Sequence, residues 1–318
     1  MTSLKSGSSS AISTNDPASL ALAPVFIVGA PRSGTTWLQR LLLEHPAICG
    51  GQESHFFVRF GPVLRTIEKE QAAASSDARA VGLLCYWQVD ALQAELRGLW
   101  CRTMRPVIEQ HPEASVLLEK SPAHALFIDE IRRLLPAARF IHLIRDSRAV
   151  TASILAAGRD GWVTRWGSFG ARRAAHHWRR HVAAARQAGQ SMDASSYMEL
   201  HYEALHRDAS AELQRVFAFL KLPCTAEQTA AMVEAQRFDR QKQTGGSAFV
   251  IGGELGRTAR KTVEPAGFFR RGQTDSWRQD LNVVQRWLVW RITRHLMRDA
   301  GYDTRGWRPT GTDDHTQA

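Results

Sequence analysis

Apolar positions follow two rhythms along this chain. Pro24-Val25-Phe26-Ile27-Val28-Gly29-Ala30 is an almost unbroken apolar run and reads as a strand buried on both faces. Arg139-Phe140-Ile141-His142-Leu143-Ile144-Arg145 reads the same way, and Ser115 to Glu119 and Tyr197 to Tyr202 are shorter strand candidates. Between these runs the spacing widens to three or four residues. Trp37, Leu38, Leu41, Leu42 and His45 predict a helix from Thr36 that Pro46 stops. Residues 62–112 read as helical, with Trp87, Leu92, Leu96 and Leu99 as the packed stripe, and Ala123 to Leu135 as a helix ended by Pro136. Asp146 and Ser147 are good N-caps for a helix through Ala157, and Asp208 to Leu220 presents Leu213, Val216, Phe217 and Leu220 on one face. Leu281, Val284, Leu288, Ile292 and Leu296 predict the core-facing stripe of a final helix. Strands alternating with helices predict an α/β fold: a three-layer domain with a mainly parallel central sheet flanked by helices.

The turn between the first strand and the first helix carries the clearest candidate chemistry. Gly29 and Gly34 permit a sharp turn and close approach to a ligand, and the amides of residues 33–36 face outward from a helix N-terminus, where an anion is favoured. The Gly29 to Gly34 spacing fits the nucleotide loop G-x-x-x-x-G-K-[ST], but Thr35 stands at the lysine position. The domain therefore reads as P-loop-like, with a loop unsuited to ordinary ATP or GTP phosphoryl transfer.

Composition narrows the setting. The 318 residues, 44% hydrophobic, suit one large domain over residues 24–308, between a mobile Ser/Thr/Ala-rich tail at 1–23 and a short tail at 309–318. No run of eighteen apolar residues would span a bilayer, and the apolar stretch from Leu20 lacks a basic n-region. Cys49, Cys85, Cys101 and Cys224 lie far apart without a C-x-x-C pair, which suits a reducing cytoplasm better than a disulfide framework or a zinc site. A net charge of +10 predicts an acidic partner: a polyanionic nucleotide, an acidic acceptor, nucleic acid or an anionic membrane surface. The stretch Arg172, Arg173, Arg179, Arg180 and Arg186 reads as a solvated basic helix face on which an acidic acceptor or membrane headgroup could dock. Its His177 and His181 lack the glutamate of an H-E-x-x-H zinc motif, and no fold signature or aromatic platform supports nucleic acid. Gln243 to Gly256, with five glycines, reads as a mobile loop over the site.

The motifs together resemble one family. Pro31-Arg32-Ser33-Gly34-Thr35-Thr36-Trp37 is similar to the 5′-phosphosulfate loop of sulfotransferases that use 3′-phosphoadenosine 5′-phosphosulfate (PAPS). Arg145 and Ser153, eight residues apart, resemble that family's 3′-phosphate pair, and Tyr202-Glu203-Ala204-Leu205 its Tyr-Glu-x-Leu block, whose tyrosine lies near the adenine. Arg270-Arg271-Gly272 with Trp277 resembles its C-terminal basic segment, although Ser276 replaces the usual aspartate. Gln52-Glu53-Ser54-His55-Phe56-Phe57 is similar to the Lys-Glu-x-His-Phe-Phe segment of the glycan branch, with Gln52 in place of the lysine; Glu119-Lys120-Ser121-Pro122-Ala123-His124 resembles the family's Glu-Lys-[Ser/Thr]-x-x-Tyr block, with His124 where an aromatic is common. The resemblance implies PAPS as donor, 3′-phosphoadenosine 5′-phosphate (PAP) as product, no metal requirement, and a small-molecule, lipid or glycan acceptor.

Elementary chemistry assigns roles to the same residues. Breaking an S–O bond to a phosphate leaving group puts negative charge on the bridging oxygen, which Arg32 and Lys120 can meet with the donors of Thr35 and Thr36. The acceptor hydroxyl or amine must lose a proton, and Glu53 or His55 can take it; His124 is an acceptor contact or a second base. Trp37 can stack on the adenine or serve as a core knob, and Arg145 can hold the 3′-phosphate or pair with Asp146 on the surface. Two rival readings share the loop: a P-loop kinase, and a non-catalytic protein that binds the nucleotide.

Overall fold

A computed structural model of the chain describes residues 22–74, 82–160, 169–237 and 274–304. The predicted tails (Leu22 and Ala23 apart, the latter already in the first strand), the Gln243 to Gly256 loop and the Arg270-Arg271-Gly272 segment lie outside these residues. Five parallel strands, β1 (Ala23–Gly29), β2 (Ile48–Gly50), β3 (Val116–Lys120), β4 (Arg139–Ile144) and β5 (Tyr197–His201), form one sheet in the order β2-β3-β1-β4-β5.

Successive side chains of a strand point to opposite faces, and here both faces are covered. Phe26, Val28, Leu117 and Phe140 enter one core with Phe57, Trp100 and Ile131. Val25, Ile27, Val116, Leu118, Ile141 and Leu143 enter the other with Leu38, Leu41, Leu42 and Phe217. The first core is supplied by α2 (Phe56–Ala74), α3 (Val89–Glu109) and α4 (Ile128–Leu134), and the second by α1 (Thr35–Leu43) and α8 (Ala209–Leu220). The remaining helices are α5 (Ser147–Arg159), α6 (Ala171–Gly189), α7 (Tyr202–Arg207), α9 (Ala226–Ala235), α10 (Trp277–Asp280) and α11 (Val283–Asp299).

Several expectations need correction. The helix expected over Ala123 to Leu135 is a 3-10 segment, Pro122–Leu126, followed by α4; Phe127 breaks it at φ −136, with His124 drawn into the core. The helical region expected from residue 62 begins at Phe56, and it comprises α2 and α3 with a 3-10 turn, Leu83–Cys85, between them. Its buried stripe in α3 is Gly98, Trp100, Cys101 and Met104; Trp87 precedes the helix and is 42% exposed. In α11 the buried positions are Val289, Thr293 and Met297, one residue along from the expected set, and Val284 is exposed. Thr293 is tolerated there because its hydroxyl donates to the Val289 carbonyl at 2.7 Å and meets Ser147 Oγ at 2.9 Å.

Candidate active site

The chain places β2 and β3 on one side of β1 and β4 and β5 on the other, so the carboxyl end of β1 is the point where the winding reverses. Open parallel sheets bind ligands in the crevice there. Gly29 to Gly34 occupy it. Gly34 is the N-cap of α1 at φ 95 with no side-chain cap bond, and Arg32 is also left-handed at φ 74. A Cβ on Gly34 would fall 2.5 Å from Tyr202 Cδ2, so only glycine lets the loop lie this close to the ring. Ser33 Oγ is fully buried without a hydrogen-bond partner among the described residues, as suits a hydroxyl shaped for an anionic ligand. With α1's positive end beside it, the loop fits a 5′-phosphosulfate.

On the β3 side a charged cluster adjoins the loop. Lys120 Nζ donates to Glu53 Oε1 at 2.5 Å and to Thr36 Oγ1 at 3.2 Å, which ties the base candidate to the first turn of α1. His55 Nε2 lies 3.2 Å from Glu53 Oε2. Lys120's side chain is 5% exposed and Glu53's 31%, so the cation is enclosed while the carboxylate can still be reached by an acceptor.

On the β4 and β5 side, Arg32 Nε donates to Ser153 Oγ at 3.1 Å, and Arg145 donates to the Arg32 carbonyl at 3.4 Å. The Arg145 guanidinium lies 4.0 Å above the Tyr202 ring. Trp37 meets Tyr202 edge-on with centroids 5.9 Å apart. Asp146, weighed as a surface partner of Arg145, is buried; it binds Arg148 through Nη2 at 2.6 Å and caps α5 at the Arg148 amide. Arg145's carbonyl is held by Trp178 Nε1 at 2.8 Å. Tyr202 is buried, its face taken by Arg145 and its edge by Gly34, so it shapes the loop from beneath. Arg32, Ser153, Arg145, Tyr202 and Trp37 thus form one group around the loop. Ser276 precedes α10 without a side-chain cap bond, and Trp277 is buried against α5 with Arg148 stacked at 4.1 Å.

His124 is corrected as an acceptor contact or base. It is fully buried, its Nε2 accepts from the Phe57 amide at 3.2 Å, and its Nδ1 lies 2.9 Å from Glu119 Oε2. No lone pair remains to take an acceptor's proton. Sequence reasoning passed over Glu119, whose carboxylate gathers Ser54 and Ser121 as well as His124. Burial opposes its charge, but His124 and the two serine hydroxyls hold its pKa at about 2. Its signals in the sequence were its place at the head of the Glu-Lys-[Ser/Thr] block and a charge on an otherwise apolar strand.

Away from the site, His177 and His181 stack with ring centroids 4.3 Å apart; His181 Nδ1 is bonded to the His177 carbonyl, and burial pushes the His181 pKa down to about 3. Among the described residues, no group of three or more His, Cys, Asp or Glu side chains could hold a metal ion, and no helix is long and apolar enough to cross a membrane.

The parallel sheet, the glycine turn at its winding reversal and the cations on both sides define an α/β domain of the P-loop-like nucleotide-binding class. Residues 24–227 match the profile of the Sulfotransferase family, and the chain belongs to that family. A protein-tyrosine sulfotransferase of Drosophila melanogaster is 23% identical over 200 residues, 63% of this chain and 38% of that protein. Protein-tyrosine sulfotransferase A of Caenorhabditis elegans is 24% identical over 199 residues, 63% of this chain and 50% of its own length. The match thus spans half or less of these two relatives. A crystal structure of a mouse sulfotransferase complexed with PAP has the same fold, with a TM-score of 0.54 at 14% identity over 89% of this chain and 88% of that one.

Proposed function

We propose that this chain transfers the sulfuryl group of PAPS in line to a hydroxyl acceptor, and that a phenol such as protein tyrosine is the acceptor class its relatives favour. The observation that carries the reading is the Lys120–Glu53 pair at 2.5 Å beside an anion loop that has Thr35 in place of a lysine. PAPS, when bound, supplies the sulfuryl group and PAP as the leaving group. The first amides of α1, Ser33, Thr35 and Thr36 hold the 5′ end, and Arg145 and Ser153, with Arg270, Arg271 and Gly272 from outside the described residues, hold the 3′-phosphate. Trp37 flanks the base.

Glu53 takes the acceptor's O–H proton as the oxygen attacks sulfur. The electron pair of the breaking S–O bond goes to the bridging phosphate oxygen, whose charge Lys120 and Arg32 meet from fixed positions. Lys120 links the two events, because the ammonium that orients the base also lies beside the loop that holds the leaving group. An acceptor reaches the Glu53 carboxylate by displacing one of its present partners, Lys120 on Oε1 or His55 on Oε2.

Glu53→Gln keeps the size and hydrogen-bonding shape of the side chain but removes its basicity. With ³⁵S-labelled PAPS and an acidic tyrosine peptide or cell extract as acceptor, its turnover is expected to fall by about 10²- to 10⁴-fold while PAP affinity is nearly kept. Full turnover in this variant would exclude Glu53 as the base.

A further inference from the structure

β3 ends in two charged residues that point to opposite faces of the sheet. Lys120 belongs to the cluster already described. Glu119, 3% exposed, faces the start of α2, and its carboxylate takes three hydrogen bonds and lies against the His124 ring. Oε1 accepts from the Ser54 amide at 3.2 Å, from Ser54 Oγ at 2.7 Å and from Ser121 Oγ at 2.8 Å, and Oε2 lies 2.9 Å from His124 Nδ1. An ionised carboxylate offers acceptor sites and no proton, and here Oε1 gathers the three hydrogen bonds while Oε2 faces the His124 ring.

Each partner relays the carboxylate to another main-chain amide. Ser54 Oγ accepts from Phe56 N at 3.2 Å, Ser121 Oγ from His55 N at 3.1 Å, and His124 Nε2 from Phe57 N at 3.2 Å. The four consecutive amides of residues 54–57 are therefore tied to one side chain, directly or through a single intermediary. Amides at a helix start have no partner within the helix, and here a strand on the neighbouring layer satisfies them. His55 sits at φ 50, a left-handed conformation that an L-residue disfavours, so its placement is imposed by such contacts.

We propose that Glu119 is a positioning residue: by fixing the first turn of α2 it holds Glu53, one residue upstream, against Lys120 and His55. This rests on the reading of Glu53 as the base. A glutamine at 119 cannot replace the carboxylate. With its oxygen toward the serines its NH₂ meets the His124 Nδ1–H, and with its oxygen toward His124 the NH₂ meets the Ser54 amide; donor faces donor either way.

The test needs no acceptor. In the full chain labelled with ¹⁵N-histidine, His55 is identified by the signal lost in His55→Gln and titrated by NMR. Glu53→Gln removes a carboxylate 3.2 Å from Nε2 and should lower the His55 midpoint. In a Glu119→Gln background that difference should shrink to less than about a third of its wild-type size, and Ser54→Ala should reduce it partially, with PAP binding confirming that each variant is folded. An undiminished difference in both backgrounds would mean that Glu119 serves only the stability of the fold, and would overturn the proposal; so would a wild-type chain in which Glu53→Gln leaves His55 unmoved. Should Glu119→Gln fail to fold, Ser54→Ala decides alone. The base assignment itself stands or falls separately, on the turnover of Glu53→Gln.

Discussion

Replacing Gly34 by alanine adds one methyl group at the point where the anion loop touches Tyr202. The new Cβ would lie 2.5 Å from Cδ2 and 2.6 Å from Cε2 of that ring, distances at which the ring or the loop must move. The ring is confined, because the Arg145 guanidinium stacks on it at 4.0 Å and Trp37 abuts its edge. Two costs add. Holding an L-residue near the φ of 95 that Gly34 adopts costs roughly 1–2 kcal/mol, and forcing a methyl into a packed contact costs roughly 1–3 kcal/mol. Urea denaturation of Gly34→Ala should therefore show a loss of about 2–5 kcal/mol, and calorimetric titration should show PAP binding weakened at least tenfold, since the displaced element is the loop itself. A second variant separates the terms: Gly34→Ala with Tyr202→Ala relieves the steric part and keeps the backbone part. Unchanged stability together with wild-type PAP affinity in Gly34→Ala would refute the loop geometry described above.

Two further outcomes follow from particular side chains. Arg145→Ala should weaken PAP by about 10- to 100-fold, the range for a lost hydrogen bond to a charged group, while 5′-AMP, which lacks the 3′-phosphate, is barely affected; equal losses for both ligands would place Arg145 elsewhere. Stability should also fall with acid. Burial lowers the pKa of His142 and carries that of His181 down to about 3, so both stay neutral in the fold while the unfolded chain takes up protons below about 6.5. Stability is thus fully present above that pH and is lost on descent toward pH 3 at about 1.4 kcal/mol per pH unit for His181, with His142 adding a loss that begins below the same pH and Glu119 adding one between its ordinary 4.5 and about 2. A urea midpoint that does not change between pH 7.5 and 5 would contradict the buried neutral pair.

How far these features could be read in advance depends on whether their signal is local. β1 and β4 were legible because residues buried on both faces leave an apolar run that little else produces, and the loop after β1 was legible because its glycines and cations are contiguous. β2 escaped because Ile48, Cys49 and Gly50 are too few to show a period. The stripe of α11 was placed one residue off because buried Thr293 breaks the apolar pattern, while Leu288, Ile292 and Leu296 flank it half-buried and look like the stripe themselves. Trp100 was passed over for Trp87 for a related reason, since aromatic identity without helix boundaries does not say which tryptophan turns inward. In the site, Glu53 and Lys120 were each singled out from family motifs, but only folding shows them in contact across 67 residues of sequence. The Glu119 hub was the least legible element: Ser54, Ser121 and His124 follow no spacing rule, and what unites them is the number of lone pairs on one buried carboxylate.

A loop after β1 built for a PAPS-type nucleotide must bind PAP in preference to ATP. Thermal or chemical denaturation of the full chain with PAP, and separately with ATP plus Mg²⁺, tests it most directly. A ligand bound only by the folded state stabilises it by about 2.7 kcal/mol at one hundred times its Kd. PAP at micromolar to sub-millimolar concentration is expected to give a shift of that size, with ATP plus Mg²⁺ giving much less. Equal or greater stabilisation by ATP plus Mg²⁺ would contradict the account.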